Sequence, residues 1–128
     1  MGVEQGDGWA LASLDDLGEG PGFRKIRSPL GVTAFGVNAI VMPAGYRARP
    51  HKHERQQELY FVHQGTLEFE FEGGARHRLG PGGVVRVDAD TVRRISNVGN
   101  GDATYVSVGA DGGYVGRDGV PVEDTEFE

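Results

Sequence analysis

The chain has 128 residues, enough for one compact domain and too few for a second catalytic module. Its net charge of −6 disfavours attraction to nucleic acid or to an anionic membrane. Cysteine is absent, which excludes disulfides, thiolate metal sites and cysteine nucleophiles. Any bound metal must therefore be held by imidazole, carboxylate or carbonyl groups.

The first residues show no export signal. They lack the basic start and the apolar stretch of a secretory peptide, and no apolar run in the chain approaches the roughly 20 residues of a membrane span. From this pattern we expect a soluble, cytoplasmic protein.

One short helical turn is predicted at 13–17, where Ser13 and Asp16 have capping-box spacing. Beyond it no segment keeps the helical period, and glycine and proline separate short apolar or alternating segments. The predicted strands lie at 23–27, 37–42, 58–63, 67–72, 76–79, 84–87, 92–96 and 104–108. Many short strands without βαβ units indicate an all-β antiparallel sandwich or small barrel of jelly-roll type.

The clearest strand is the segment in which Leu67, Phe69 and Phe71 alternate with three glutamates. A period of two places the apolar side chains on one face and the carboxylates on the other. This segment is therefore predicted to contribute one face to the core.

Histidines cluster just after the predicted second strand, in the sequence His51-Lys52-His53. On a strand, His51 and His53 point to the same side, and neutral imidazole is the commonest metal ligand. Glu58 lies an odd number of residues beyond His53, so a turn or bulge must intervene if its carboxylate is to join them. Together the three would form a two-histidine, one-carboxylate ligand set.

These residues also carry a family resemblance. Gly45, His51, His53, Glu58 and Gly65 have the spacing Gly-x5-His-x-His-x4-Glu-x6-Gly of the first motif of the cupin superfamily. The chain resembles a small single-domain cupin over about residues 30–109. The resemblance implies one domain over 1–128 with a double-stranded β-helix, or jelly-roll, barrel; residues 1–29 would form an N-terminal arm and residues 110–128 a C-terminal tail.

The second cupin motif keeps its spacing but not its residues. Aligned on Gly82 and Asn97, the chain has Asp88 and Asp90 in place of proline and glycine, and Arg93 in place of the family's fourth metal ligand, a histidine. Arginine stays protonated and offers only donors, so it cannot bind a cation. At about 5 Å from a divalent ion it would oppose binding by an energy on the order of 6 kcal/mol.

Two arrangements of Arg93 are consistent with this. In the first, Arg93 turns aside or pairs with Asp90 or a ligand carboxylate, and the metal keeps three protein ligands and open positions. In the second, Arg93 pairs with Glu58 and its charge replaces that of the metal. The second arrangement gives a metal-free pocket suited to an anion.

The resemblance implies a metal-binding cupin that acts on a small organic acid, as an oxygenase, isomerase or lyase. The implied ligands of Fe, Mn, Ni or Zn are His51, His53 and Glu58. Arg93 and Tyr60 are candidate catalytic residues, and Arg93 or Arg49 would clamp the carboxylate of the acid. The alternatives are a metal-free binder of small anions and a structural dimer with a vestigial pocket. A homodimer is expected, with residues 3–12 or 103–109 offering an edge strand, and neither nucleic acid nor membrane is expected as a partner.

Other residues admit two interpretations each. In one interpretation they line the pocket: the arginines lie at its mouth, the aromatic residues along its wall, and the histidine points inward. Arg49 could then clamp a carboxylate. The same residues could equally be edge-strand charges or ordinary core groups. They are Arg47, Arg49, Phe35, Tyr46, Tyr60 and His77. His63 is expected to face away from the pocket, and a register slip would exchange Arg93 for Arg94.

Overall fold

The computed structural model describes residues 2–127, with the side chains of residues 125 and 126 left out. Within this range the chain forms twelve strands, one 3-10 turn at Leu14–Asp16 and two four-residue helices, α1 (Arg27–Leu30) and α2 (Asp124–Phe127). The strands are β1 (Glu4–Gly6), β2 (Trp9–Leu11), β3 (Gly22–Lys25), β4 (Gly36–Met42), β5 (His51–His53), β6 (Gln57–Gln64), β7 (Leu67–Phe71), β8 (Arg76–Leu79), β9 (Val84–Val87), β10 (Arg93–Asn97), β11 (Ala103–Ala110) and β12 (Gly119–Pro121).

Two five-stranded antiparallel sheets form the body of the molecule. Their strand orders are β12-β5-β10-β7-β8 and β3-β4-β11-β6-β9. Apolar side chains from both sheets meet in one core cluster that includes Val62, Leu67, Phe69 and Ile95. The predicted all-β jelly roll is confirmed.

The predicted strands agree with the observed ones to within two residues at each end, and the prediction for 23–27 runs two residues past the end of β3. There the prediction was wrong: Arg27 opens α1, which ends at Gly31 with a φ of 72°. Ser13 also makes no side-chain capping bond to the 3-10 turn. The strand β12 was not predicted, and residues 3–12 were expected to offer an edge strand to a partner and not to form the pair β1 and β2. Such short pairings depend on contacts and not on local periodicity.

The glutamate face of β7 is largely covered. Glu70 is 4% exposed and pairs in register with Arg94 of β10. The guanidinium of Arg94 lies 3.3 Å from an Asp124 oxygen and 5.0 Å from the centre of the Phe127 ring, both on α2. The outer side of this sheet therefore holds a buried ion pair beneath the C-terminal helix.

The predicted edge strand at 103–109 was wrong. This segment lies in β11, which is hydrogen-bonded to β4 on one side and to β6 on the other, so it has no open edge. The segment 3–12 forms its own hairpin, in which β1 pairs with β2.

Between residues 2 and 127, no helix has the length and apolar character needed to cross a lipid bilayer.

Candidate metal centre and cavity

Strands β5 and β6 carry the three candidate ligands on opposite walls of the sandwich. His51 and His53 lie on β5 in one sheet, and Glu58 lies near the start of β6 in the other. Residues 54–56 form the crossing between the sheets. This crossing is the predicted break, and it explains how a carboxylate at an odd spacing faces the same interior space as the two imidazoles.

The ligand atoms converge. One donor atom from each of His51, His53 and Glu58 can be chosen so that all lie within 4.8 Å of one another. The His53 Nε2 to Glu58 Oε1 distance is 3.0 Å, and the two imidazole rings meet edge to face with centroids 5.1 Å apart. A metal with bonds of about 2.0–2.2 Å holds its ligand atoms at most about 4.4 Å apart, so small side-chain rotations would complete the set.

Asp118 orients His53 from the far side of the ring. Its Oδ1 lies 2.8 Å from His53 Nδ1, and its other oxygen accepts backbone N–H bonds from Arg55 and Gln56. Burial acts to raise the pKa of Asp118, but the hydrogen bonds from Gln56 and His53 hold it below its ordinary value. An ionised Asp118 fixes the proton of His53 on Nδ1 and leaves Nε2 facing Glu58.

The two histidines differ electrostatically. Burial and the positive charge of Arg93 lower the pKa of His51 to about 4, so His51 is neutral at physiological pH, the form that binds metals. Burial also acts to lower the pKa of His53, but the carboxylates of Glu58 and Asp118 raise it above its ordinary value. A positive charge at His53 Nε2, whether a proton or a metal ion, is therefore stabilised.

Glu58 is held by several donors. The Tyr60 hydroxyl donates to Oε1, and the Ser107 hydroxyl donates to Oε2 at 3.2 Å. Burial acts to raise the pKa of Glu58, yet His53 and Tyr60 lower it below its ordinary value. Burial and the charge of Glu58 raise the pKa of Tyr60, so its hydroxyl keeps its proton and donates.

Arg93 lies behind Glu58. Its guanidinium is fully buried, with Nη1 donating to the carbonyls of Thr91 (2.8 Å) and Ala89 (3.3 Å) and Nη2 donating to Glu58 Oε1 at 3.4 Å. Of the two partners considered for Arg93, the structure shows the Glu58 carboxylate. The other, Asp90, instead lies 3.5 Å from the Lys52 ammonium group. Arg93 is not among the residues that line the cavity, so the structure places it against Glu58 and not where the expected substrate clamp would lie.

The three ligands open into a cavity of about 540 Å³, within the range of small-molecule pockets. The inner faces of both sheets form its walls, with Tyr60, Tyr105 and Ile40 among the lining residues. Residues 114–119 also line it. Tyr114 in this segment stacks against the Arg27 guanidinium at 4.0 Å, and β12 at its end pairs with β5.

Several other predicted pocket residues lie elsewhere. Arg47 and Arg49 do not line the cavity; they lie 3.6 Å from Glu70 and 2.7 Å from Glu123 respectively. Arg47 and Arg49 lie an even number of residues before His51 and would share its face on a continuous strand, but residues 48–50 are not in a strand and the alternation is lost there. Arg94 faces the opposite side of β10 from Arg93, so no register slip occurs.

The aromatic and histidine predictions were mixed. Tyr60 lines the cavity, whereas Phe35 and Tyr46 are exposed and do not. His63 is exposed, as expected. His77 is in register with Phe69 and so lies on the core-facing side of β8, but it is exposed at this edge strand and does not line the cavity.

Comparisons with known proteins agree with this geometry. A family model described as a cupin domain matches residues 38–109. The chain belongs to the cupin family. None of the curated proteins matches the sequence significantly.

Solved cupin-like structures resemble the chain. One is a Klebsiella pneumoniae protein with a double-stranded β-helix domain (TM-score 0.74, 20% identity, covering 89% of this chain and 97% of that one). Another is a sugar phosphate isomerase of the cupin superfamily from Silicibacter pomeroyi (TM-score 0.63, 25% identity, 69% and 57%). A third is the DMSP lyase DddQ from Ruegeria pomeroyi (TM-score 0.58, 25% identity, 68% and 42%). The chain thus spans about half the length of the last two.

The metal implied by the cupin resemblance fits the residues present. His53 Nε2 is buried and has no well-aligned hydrogen-bond partner among the described residues, while its other nitrogen is held by Asp118. A neutral His51 and an ionised Glu58 complete a nitrogen and oxygen donor set typical of divalent transition metals. Asp118, Gln56 and Ser107 support this set, and no local spacing in the sequence identified them.

Proposed function

We propose that this cupin is a metal-dependent enzyme that acts on a small organic acid, with Fe, Mn, Ni or Zn bound by His51, His53 and Glu58. The observation that supports this most is the convergence of the three side chains at a cavity of small-molecule size. When bound, the metal would supply a Lewis acid that polarises a substrate oxygen.

The chain's own residues would keep the ligands in place. Tyr60 and Ser107 donate to the two oxygens of Glu58, and Arg93 donates from behind. Tyr60 also lines the cavity, where its protonated hydroxyl stands next to any bound substrate. The buried aromatic wall formed with Tyr105 excludes water, which strengthens each polar interaction inside.

Isomerisation or a lyase reaction is the favoured chemistry. The two structures reported above at 25% identity are a sugar phosphate isomerase and a DMSP lyase. Both kinds of reaction can begin by removing a proton from an organic substrate; an isomerase returns the proton to another atom, whereas an eliminating lyase expels a leaving group. Oxygenation is the remaining possibility from the sequence, and no neighbour reported above supports it.

Elemental analysis of protein purified without chelator tests the proposal. We expect close to one transition metal ion per chain, with most of it lost in His51→Ala and Glu58→Ala. His63→Ala removes an exposed histidine outside the cavity and serves as the matched control. Wild-type protein without metal above trace, even after addition of each candidate ion, would overturn the metal-dependent function.

The ion pair between Arg93 and Glu58 supports one alternative, a metal-free binder of small anions. In that case the same elemental analysis finds no metal, while anion binding persists. A cytoplasmic location and a homodimer stay predictions; fractionation of cells and light scattering at micromolar concentration would test them.

A further inference from the structure

Lys25 and Arg117 differ from the other cations of the chain. Most of the 13 lysines and arginines have a carboxylate partner, and Arg24 and Arg27 donate to backbone carbonyls. Among the residues that the structure describes, Lys25 and Arg117 have neither kind of partner. Both line the cavity above the three ligands.

Their places in the fold bring them to the same opening. Lys25 ends β3, the edge strand of one sheet, and its register partner Asn38 lines the cavity as well. Arg117 lies in the segment that borders the cavity and directly precedes Asp118, at the approach to β12, the edge strand of the other sheet. Two exposed edges thus each contribute one unpaired positive charge to a single mouth.

The net negative charge of the protein bears on how an anionic ligand could enter this cavity. A chain of net charge −6 repels small anions at long range, so an anionic ligand needs local cations to enter. A solvated cation without a partner is common on a surface. Here, however, two such cations line the same cavity, while the other described cations have partners. This arrangement indicates a site for a negatively charged group.

We infer that Lys25 and Arg117 bind the acid group of the substrate, a carboxylate or a phosphate, at the cavity mouth, while its reacting end faces His51, His53 and Glu58. Arginine binds either group through two parallel hydrogen bonds, and lysine adds a point charge. This inference rests on the proposed function for the identity of the reacting end. It assigns to Lys25 and Arg117 the clamp that the sequence suggested for Arg93 or Arg49.

Calorimetry with paired probes tests the inference. The pairs are succinate against 1,4-butanediol and glycerol 3-phosphate against glycerol, each titrated into chelator-treated protein. We expect the anion of at least one pair to bind about tenfold or more tightly than its neutral partner. Succinate binding would identify a carboxylate site and glycerol 3-phosphate binding a phosphate site, and either supports the inference. Equal or absent binding by both pairs would overturn it.

Variants identify the residues responsible. The double variant Lys25→Ala/Arg117→Ala should lose about tenfold or more in anion affinity and nothing in affinity for the neutral probes. Arg78→Ala/Arg86→Ala makes the same change in net charge at exposed arginines outside the cavity, and should shift anion affinity by less than about twofold. An unchanged affinity in the first variant, or an equal loss in both, would overturn the assignment.

Metal content separates this inference from the proposed function. The Lys25→Ala/Arg117→Ala protein should retain the metal content of the wild type, because neither residue contacts the three ligands. Anion selectivity in a wild type that takes up no metal would overturn the metal-dependent function and leave the clamp supported. Metal binding without anion selectivity would support the metal-dependent function and overturn the acid-group site at Lys25 and Arg117.

Discussion

Asp118 Oδ1 lies 2.8 Å from His53 Nδ1, although the two residues are 65 positions apart in the chain. The contact forms because β12, which follows Asp118, pairs with the strand that carries His53. A metal-binding histidine commonly donates its second ring N–H to such a carboxylate, which fixes the ring and its tautomer.

Asp118→Asn should therefore weaken metal binding by about tenfold to a hundredfold. The amide keeps an oxygen for the Arg55 and Gln56 backbone bonds but can no longer hold the His53 proton by charge. Competition with a chromophoric chelator measures the affinity. Asp111→Asn, at an exposed carboxylate paired with Arg55, is the control and should leave the affinity unchanged. Equal affinities in all three proteins would show that Asp118 does not support the metal.

Arg93→Met should have opposite effects on stability and on metal affinity. Removing the guanidinium leaves Glu58 without its buried cation, so the metal-free protein should lose roughly 3 kcal/mol of unfolding free energy. The same change removes a positive charge that competes with the metal for Glu58, so metal affinity should rise by about tenfold or more. Urea unfolding and chelator competition measure the two quantities.

The matched control for that experiment is Arg94→Met. Arg94 is buried on the same strand but faces the outer side, so its loss should leave metal affinity within about twofold of the wild type. An Arg93→Met protein with wild-type metal affinity would mean that the guanidinium does not oppose the metal.

The buried pair between Arg94 and Glu70 should matter to the fold. Arg94→Met leaves the 4% exposed carboxylate of Glu70 with two exposed ion-pair partners among the described residues, Arg47 and Arg76. We therefore expect a loss of about 2–4 kcal/mol in urea unfolding. Arg78→Met breaks the exposed pair with Glu68 and should cost less than about 1 kcal/mol. Similar losses in both variants would contradict a special role for the buried pair.

Gly65→Ala tests a motif glycine. Its φ is +81°, and an added Cβ would lie 2.7 Å from the Ala103 Cβ, so both backbone strain and a clash oppose the change. We expect a loss of about 2–4 kcal/mol. Gly74→Ala has φ +98° but open space around the added Cβ, and should cost about 1–2 kcal/mol. If thermal and urea unfolding show the same cost for both, the clash with Ala103 is relieved by relaxation.

Local patterns in the sequence predicted the strands and the convergence of His51, His53 and Glu58. Alternation in β7 and the shared side of His51 and His53 are properties of short segments that a strand preserves, and the odd spacing to Glu58 required the break observed at 54–56. The same logic failed for Arg47 and Arg49, because the chain leaves the extended alternation between Arg47 and β5.

The supporting residues could not be predicted in this way. Asp118 reaches His53, and Lys25 and Arg117 reach the cavity, only because edge strands far apart in the chain complete the two sheets. Nothing in the local sequence around residues 25 or 118 marks such a role. Glu70 was predicted on the right face of β7, but its burial depends on α2, which packs against Arg94 from the far end of the chain.

The cupin family model matches residues 38–109 of the chain. This segment contains His51, His53 and Glu58, but Lys25, Arg117 and Asp118 all lie outside it. The shared region thus carries the three proposed metal ligands, while the flanking segments carry the residues of the proposed acid-group site and the carboxylate that holds His53. A fragment trimmed to the shared region would lack Lys25 and Arg117 as well as the Asp118 carboxylate beside His53.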